Sequence, residues 1–143
     1  MKKENLTSAP DGPADPTRPG RGKGLLVQLA AGQAGVLVLH CQGRLIDQPQ
    51  TSQLSELVSE ILPSAGRMVV DLSGVKDLDS SGLGELVMAH MWAQAAGFEL
   101  KFAGPSKAVR SLLEVTELVS LFDVYASVPE AVASMGGREL HSA

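Results

Sequence analysis

Apolar residues fall in short runs along this chain, separated by breaks that hold glycine or proline. Leu25 to Ala30 is apolar apart from Gln28, and Val36-Leu37-Val38-Leu39-His40-Cys41 is a second, β-rich run. Ala31-Gly32-Gln33-Ala34-Gly35 links them, so the pair predicts a β-hairpin whose second strand ends at Gly43. Leu54, Leu57, Val58 and Ile61 then recur at helical spacing and form one apolar face. Asp47 and Gln50 match a capping-box pattern ahead of that helix, and Pro63 and Gly66 are its expected stops. Arg67-Met68-Val69-Val70-Asp71-Leu72 predicts a buried parallel strand, followed by a polar loop from Ser73 to Asp79.

Ser80 or Ser81 is the expected cap of the next helix, which runs to about Ala96, with Gly97 as a left-handed stop. Phe98 to Ala103 alternates with period two and reads as a strand. Ser106 to Val115 is helical, with Val109, Leu112 and Leu113 on one side. Leu121 to Tyr125 reads as a short strand, and Ser127 with Glu130 caps a final short helix. No internal repeat is visible. The order predicts an α/β domain with a mixed central sheet flanked by about four helices.

Residues 1–23 break this pattern. Pro10, Pro13, Pro16 and Pro19 recur there with glycines, and Leu6 is the one large aliphatic residue after Met1. Such a segment buries too little apolar surface to offset its ordering entropy, so a disordered tail is expected. The folded domain is then expected over residues 24–136, with a flexible tail over 137–143. Lys2, Lys3, Arg18, Arg21 and Lys23 make the leader basic, which leaves the domain more acidic than the net charge of -4 over 143 residues. Nucleic acid is not an expected direct partner, since no large basic patch is present. Cys41 is the only cysteine, which excludes an intrachain disulfide and fits a reducing compartment. With no long apolar stretch and no apolar signal core, a cytoplasmic protein without membrane insertion is expected.

The segment from Met68 to Val87 carries the candidate chemistry. An apolar strand ends, a loop with Asp77 and Asp79 follows, and a helix begins at two serines. The free N–H groups of a helix start favour a negative group. Gly82 and Gly84 are expected to keep the approach to Ser80 and Ser81 open. A phosphate on Ser80 would add about -1.5 to -2 charges near pH 7. Beside Asp71, Asp77 and Asp79, that anion would repel a partner docked over the loop. The plainer reading is that the serine is only an N-cap, and local physics favours it because capping is so common.

Asp71-Leu72-Ser73-Gly74-Val75 followed by Leu78-Asp79-Ser80-Ser81-Gly82-Leu83-Gly84 resembles the signature of STAS-domain anti-sigma-factor antagonists. Lys107-Ala108-Val109-Arg110-Ser111-Leu112-Leu113, with Leu118 beyond it, is similar to that family's next helix. The resemblance spans roughly Gly24 to Met135. It implies a STAS fold and a phosphorylated serine at Ser80. It also implies partner switching in transcription regulation: the unphosphorylated antagonist binds an anti-sigma factor and frees a sigma factor. That anti-sigma factor would be a serine kinase of the histidine-kinase-like ATPase fold, and a serine phosphatase would reset the phosphoprotein. The implied partner surface comprises Asp79, Ser80, Ser81, Gly82, Leu83, Gly84, Arg44, Asp47, Met88 and Trp92. A monomer or weak dimer is expected.

One departure stands out. Many relatives carry Gly-Glu-Leu-Asp after the second strand, whereas this chain has Gly43-Arg44-Leu45-Ile46 with Asp47 one place later. Arg44 is then either an altered docking residue or a solvated turn residue. On the following helix, Leu83, Leu86, Val87 and His90 are expected to face the sheet. Met88, Met91 and Trp92 are left to pack on a neighbouring helix or to line a partner groove. His40, His90 and His141 have no metal-ligand spacing with Cys41. No hydrolase elbow surrounds Ser80, so no catalytic residue, metal or cofactor is expected and the chain reads as a binding protein. Two other STAS roles compete: accessory subunit of an ABC-type lipid transporter, and a nucleotide- or small-ligand-binding domain.

Overall fold

The computed structural model describes residues 25–46 and 53–142. The expected leader, and the expected cap formed by Asp47 and Gln50, lie outside the described residues. Strand β1 (Leu25–Ala31) and strand β2 (Leu37–Leu45) form an antiparallel hairpin. Helix α1 (Gln53–Ala65) leads to β3 (Arg67–Leu78), helix α2 (Ser80–Ala96) to β4 (Glu99–Ala103). Helix α3 (Lys107–Val115) and the single turn α4 (Leu118–Leu121) precede β5 (Val124–Tyr125), and α5 (Val128–Ser142) ends the series. The sheet order is β1-β2-β3-β4-β5, parallel from β2 onward. A mixed sheet of this kind with helices on its faces is the expected α/β architecture.

Alternation along the central strands sorts side chains between two unequal cores. Leu39 and Cys41 of β2, Met68, Val70 and Leu72 of β3, and Leu100 and Phe102 of β4 face α1, α2 and α3. Leu54, Val58 and Leu62 of α1 and Leu83, Leu86, Ala89 and Ala93 of α2 close that side. On the reverse face Val36, Val69 and Ala103 meet Ala131, Val132 and Met135 of α5. Because β3 is covered on both faces, it reads as a continuous apolar run rather than an alternating one.

Several elements differ from the expected ones. Gly43 does not end β2, which continues to Leu45, and β3 continues through the predicted polar loop to Leu78. The two extensions pair with each other, Gln42 with Gly74 and Arg44 with Asp77. Two register shifts put an extra β3 residue near Ser73 and another near Lys76. Such bulges leave polar residues unpaired in the ladder, which is why the segment resembled a loop. A side chain at Gly74 would press on the Cys41 carbonyl oxygen, with its Cβ 2.7 Å away.

Pro63 lies inside the last turn of α1, and Gly66, at φ 81°, makes the stop. The predicted strand from Leu121 shrinks to β5 because Phe122 turns inward, onto Phe102 at a ring separation of 4.7 Å. Helix α5 continues to Ser142, through residues expected to form a tail. The hairpin, helix α3 and the Gly97 stop at φ 83° match their predictions, while Ser106, expected inside α3, is instead its N-cap. Ser127 Oγ accepts from the Glu130 N–H at 3.3 Å, which gives the predicted cap of α5.

Candidate functional site

Asp79, not either serine, caps α2. Its Oδ1 accepts from the Gly82 N–H at 3.0 Å, and its own N–H donates to the Leu45 carbonyl at 3.3 Å. The helix start is thereby tied to the end of β2, and Ser80 becomes the first helical residue. Ser80 is exposed and Ser81 half-buried. The N–H groups of both precede any carbonyl four residues back within the helix, so they remain oriented toward incoming negative charge. Freed from capping, the Ser80 hydroxyl stands at the surface of this positive helix end.

The glycines divide the labour differently from the expected pattern. Gly82 is buried, and a Cβ there would overlap the Leu45 carbonyl oxygen and approach Leu78 Cδ1 to 2.7 Å. Its function is close packing rather than open access. Gly84 is exposed with nothing near its missing side chain, so it does leave open space. Leu83 packs into the core between α2 and the sheet. Gly82 and Leu83 therefore position Ser80 from behind and offer a partner little surface.

The three acids do not form one patch. Asp71 lies on the reverse sheet face, in phase with Val69, where Oδ2 meets His40 Nδ1 at 2.6 Å. Burial raises the pKa of its carboxyl. Hydrogen bonds from the Ser73 backbone, His40 and the Ser73 hydroxyl outweigh that and hold it below the ordinary value. Asp77 pairs with Arg44, Nε to Oδ2 at 2.8 Å, across the extension of β2 and β3. Asp79 is committed to the cap. The negative charge expected around Ser80 is thus divided between a reverse-face dyad, an ion pair and a helix cap.

Arg44 is exposed and pairs with Asp77, close to the start of α2, an interaction that neither sequence reading included. Being exposed, the pair contributes only about 0–1 kcal/mol to stability. Asp47 lies outside the described residues. On α2, Met88 and Met91 are each 59% exposed. Trp92 is half-buried and tilts against Phe98, with ring centroids 5.8 Å apart. Arg44, Ser80, Gly84 and Met88 therefore remain accessible, while Trp92 is largely a packing residue. Sequence reasoning missed Glu85, whose Oε1 accepts from the Ser55 N–H at 3.1 Å and caps α1 from α2. Its spacing from the serines carried no such signal, because the contact crosses 30 residues.

Among the described residues, no group of three or more His, Cys, Asp or Glu could hold a metal, and no helix is long and apolar enough to cross a membrane. A family model described as "Mlab, STAS domain" matches residues 29–123. The fold is similar to an anti-sigma factor antagonist from Mycobacterium paratuberculosis, at 21% identity and TM-score 0.65, over 78% of this chain and 94% of that one. It is similar also to an anti-sigma-factor antagonist (STAS) domain protein from Planctomyces limnophilus, at 20% identity and TM-score 0.63, over 76% and 97% of the two chains. The phosphorylated form of the Bacillus cell fate determinant SpoIIAA aligns at 19% identity and TM-score 0.58, over 77% and 99%. The hairpin-led mixed sheet, the helix start at Asp79 and a family match over most of the chain lead to one conclusion: this protein belongs to the STAS-domain family.

Proposed function

We propose that the protein is an anti-sigma factor antagonist switched by phosphorylation of Ser80. One observation carries this reading: Ser80 is an exposed hydroxyl at the first position of α2, relieved of capping by Asp79. A kinase can reach such a hydroxyl without unfolding the helix, and the helix N-terminus accepts the resulting anion. The phosphorylated form known for the similar SpoIIAA is consistent with this chemistry. The unphosphorylated surface around Ser80, Gly84 and Met88 would bind an anti-sigma factor that is also a serine kinase. Phosphate would then oppose that docking by charge and desolvation. In this reading the chain is a cytoplasmic regulatory substrate, reset by a serine phosphatase, and not an enzyme.

The test is incubation with the cognate kinase and ATP, followed by mass spectrometry and a binding assay. Phosphate on Ser80, with binding kept by Ser80→Ala and lost by Ser80→Glu, supports the switch. Phosphate elsewhere, or equal binding by the two variants, rejects it. A second reading, accessory subunit of an ABC-type transporter, draws on the exposed Met88 and Met91, which suit an apolar partner clamped along α2. Co-purification with a transporter ATPase, unaffected by Ser80→Glu, favours it.

A further inference from the structure

The reverse face of the sheet holds a feature that the Ser80 switch does not use. Helix α5 covers β3 and β4 there but leaves the β1–β2 end of the face open. Between the hairpin tip and the start of α5 lies a cleft of about 330 Å3. Ala30, Ala31 and Val38 form one side, and Val128, Val132 and Ala133 the other. His40 and Gln33 are the polar side chains that line it. On a scale where a cavity of about 150 Å3 holds benzene, this space takes a molecule of roughly a dozen non-hydrogen atoms.

His40 is oriented rather than loose. Its Nδ1 contacts Asp71 Oδ2 at 2.6 Å, and Asp71 Oδ1 accepts in turn from the Ser73 N–H at 3.0 Å. A carboxylate partner places the proton on Nδ1 and leaves Nε2 as the ring's remaining polar atom. A largely apolar cleft with a few polar groups on its wall is the usual form of a small-molecule site, and of the two here, His40 and Gln33, His40 is the one held in place by a carboxylate. The Asp71 charge behind the ring disfavours an anionic ligand. A hydroxyl suits Nε2 in either protonation state, because it both donates and accepts.

We propose that this cleft binds a small, uncharged, mainly apolar molecule bearing one hydroxyl group, with His40 Nε2 as its hydrogen-bond partner. The site lies on the opposite sheet face from α2, so it is separate from the Ser80 surface and does not depend on the switch.

The test uses the full chain, 15N-labelled, titrated with 2-naphthol and with 2-methylnaphthalene, which has the same size but no hydroxyl. Saturable amide shifts at Val38, Val132 and Ala133 are expected, with 2-naphthol bound about threefold to tenfold more tightly. The substitution Ala133→Trp, at an exposed position outside the dyad, fills the cleft and abolishes the shifts. His40→Phe keeps the apolar binding and removes the preference for the hydroxyl. The proposal is overturned by the absence of saturable shifts, by shifts that survive Ala133→Trp, or by equal affinity for the two probes. The probe comparison and Ala133→Trp decide the matter even if His40→Phe does not fold.

Discussion

Gly82 sits against the carbonyl of Leu45 so closely that a single added methyl group would overlap the oxygen. This contact joins the start of α2 to the end of β2 and sets where Ser80 emerges. Two residues on, Gly84 faces open space. Alanine at these positions therefore has opposite consequences. Gly82→Ala is expected to destabilise the fold by about 1–3 kcal/mol through overpacking against backbone. Gly84→Ala is expected to stabilise it by up to about 1 kcal/mol, the helix-propensity difference. Urea midpoints of the two variants check the signs; a stable Gly82→Ala would contradict the packing role.

The cap at Asp79 carries a separate expectation. Asp79→Ala removes the acceptor for the Gly82 N–H and costs about 1 kcal/mol. Asp79→Asn keeps an acceptor and most of that stability. Ser80→Ala leaves stability nearly unchanged, because the Ser80 hydroxyl is not the cap. Thermal melts of the three variants distinguish this from a serine-capped helix, in which Ser80→Ala would be the costly change.

His90 links stability to pH. It is only 5% exposed, its ring tilts against Phe122, and its Nε2 has no hydrogen-bond partner. Burial lowers its pKa below the ordinary value, partly offset by the nearby Asp123 charge. The unfolded chain thus binds a proton more readily than the native one. The resulting stability is fully present above the ordinary histidine value of about 6.5 and declines as pH falls below it. His90→Leu removes this titration and the orphaned nitrogen together. Denaturation between pH 5 and 7 is expected to show a shallower pH slope for the variant; an unchanged slope refutes the assignment.

Cys41 provides a probe of global opening. Burial, with a smaller contribution from the Asp71 charge, pushes its thiol pKa up to about 12. The thiolate is the reactive form, so alkylation of the native protein at pH 8 is expected to be far slower than that of the urea-unfolded chain. Mass spectrometry after a pulse of iodoacetamide measures the ratio. Rapid labelling of the folded protein would place the thiol outside the core.

Much of this architecture was legible along the chain. The hairpin, the amphipathic face of α1, the extent of α2, the helix α3 and the cap of α5 rest on contacts within a few residues, which a linear pattern records. The helix start at Ser80 was legible too, through the motif from Leu78 to Gly84. The run from Ser73 to Leu78 was not, because its strand character comes from pairing with Gln42 to Leu45, and its two bulges break the alternation that marks a strand.

The amino-acid order alone determined most of the element types, the apolar core and the position of Ser80 at a helix start. Tertiary structure decided what surrounds that serine. The Leu45 carbonyl holds the Asp79 N–H, so Asp79 becomes the cap and the Ser80 hydroxyl is released to the surface. Sheet pairing placed Arg44 beside Asp77 and turned Asp71 to the other face with His40. Acids that lie close in sequence thus have different partners and environments, because a strand sends successive side chains to opposite faces and distant strands supply the groups they meet.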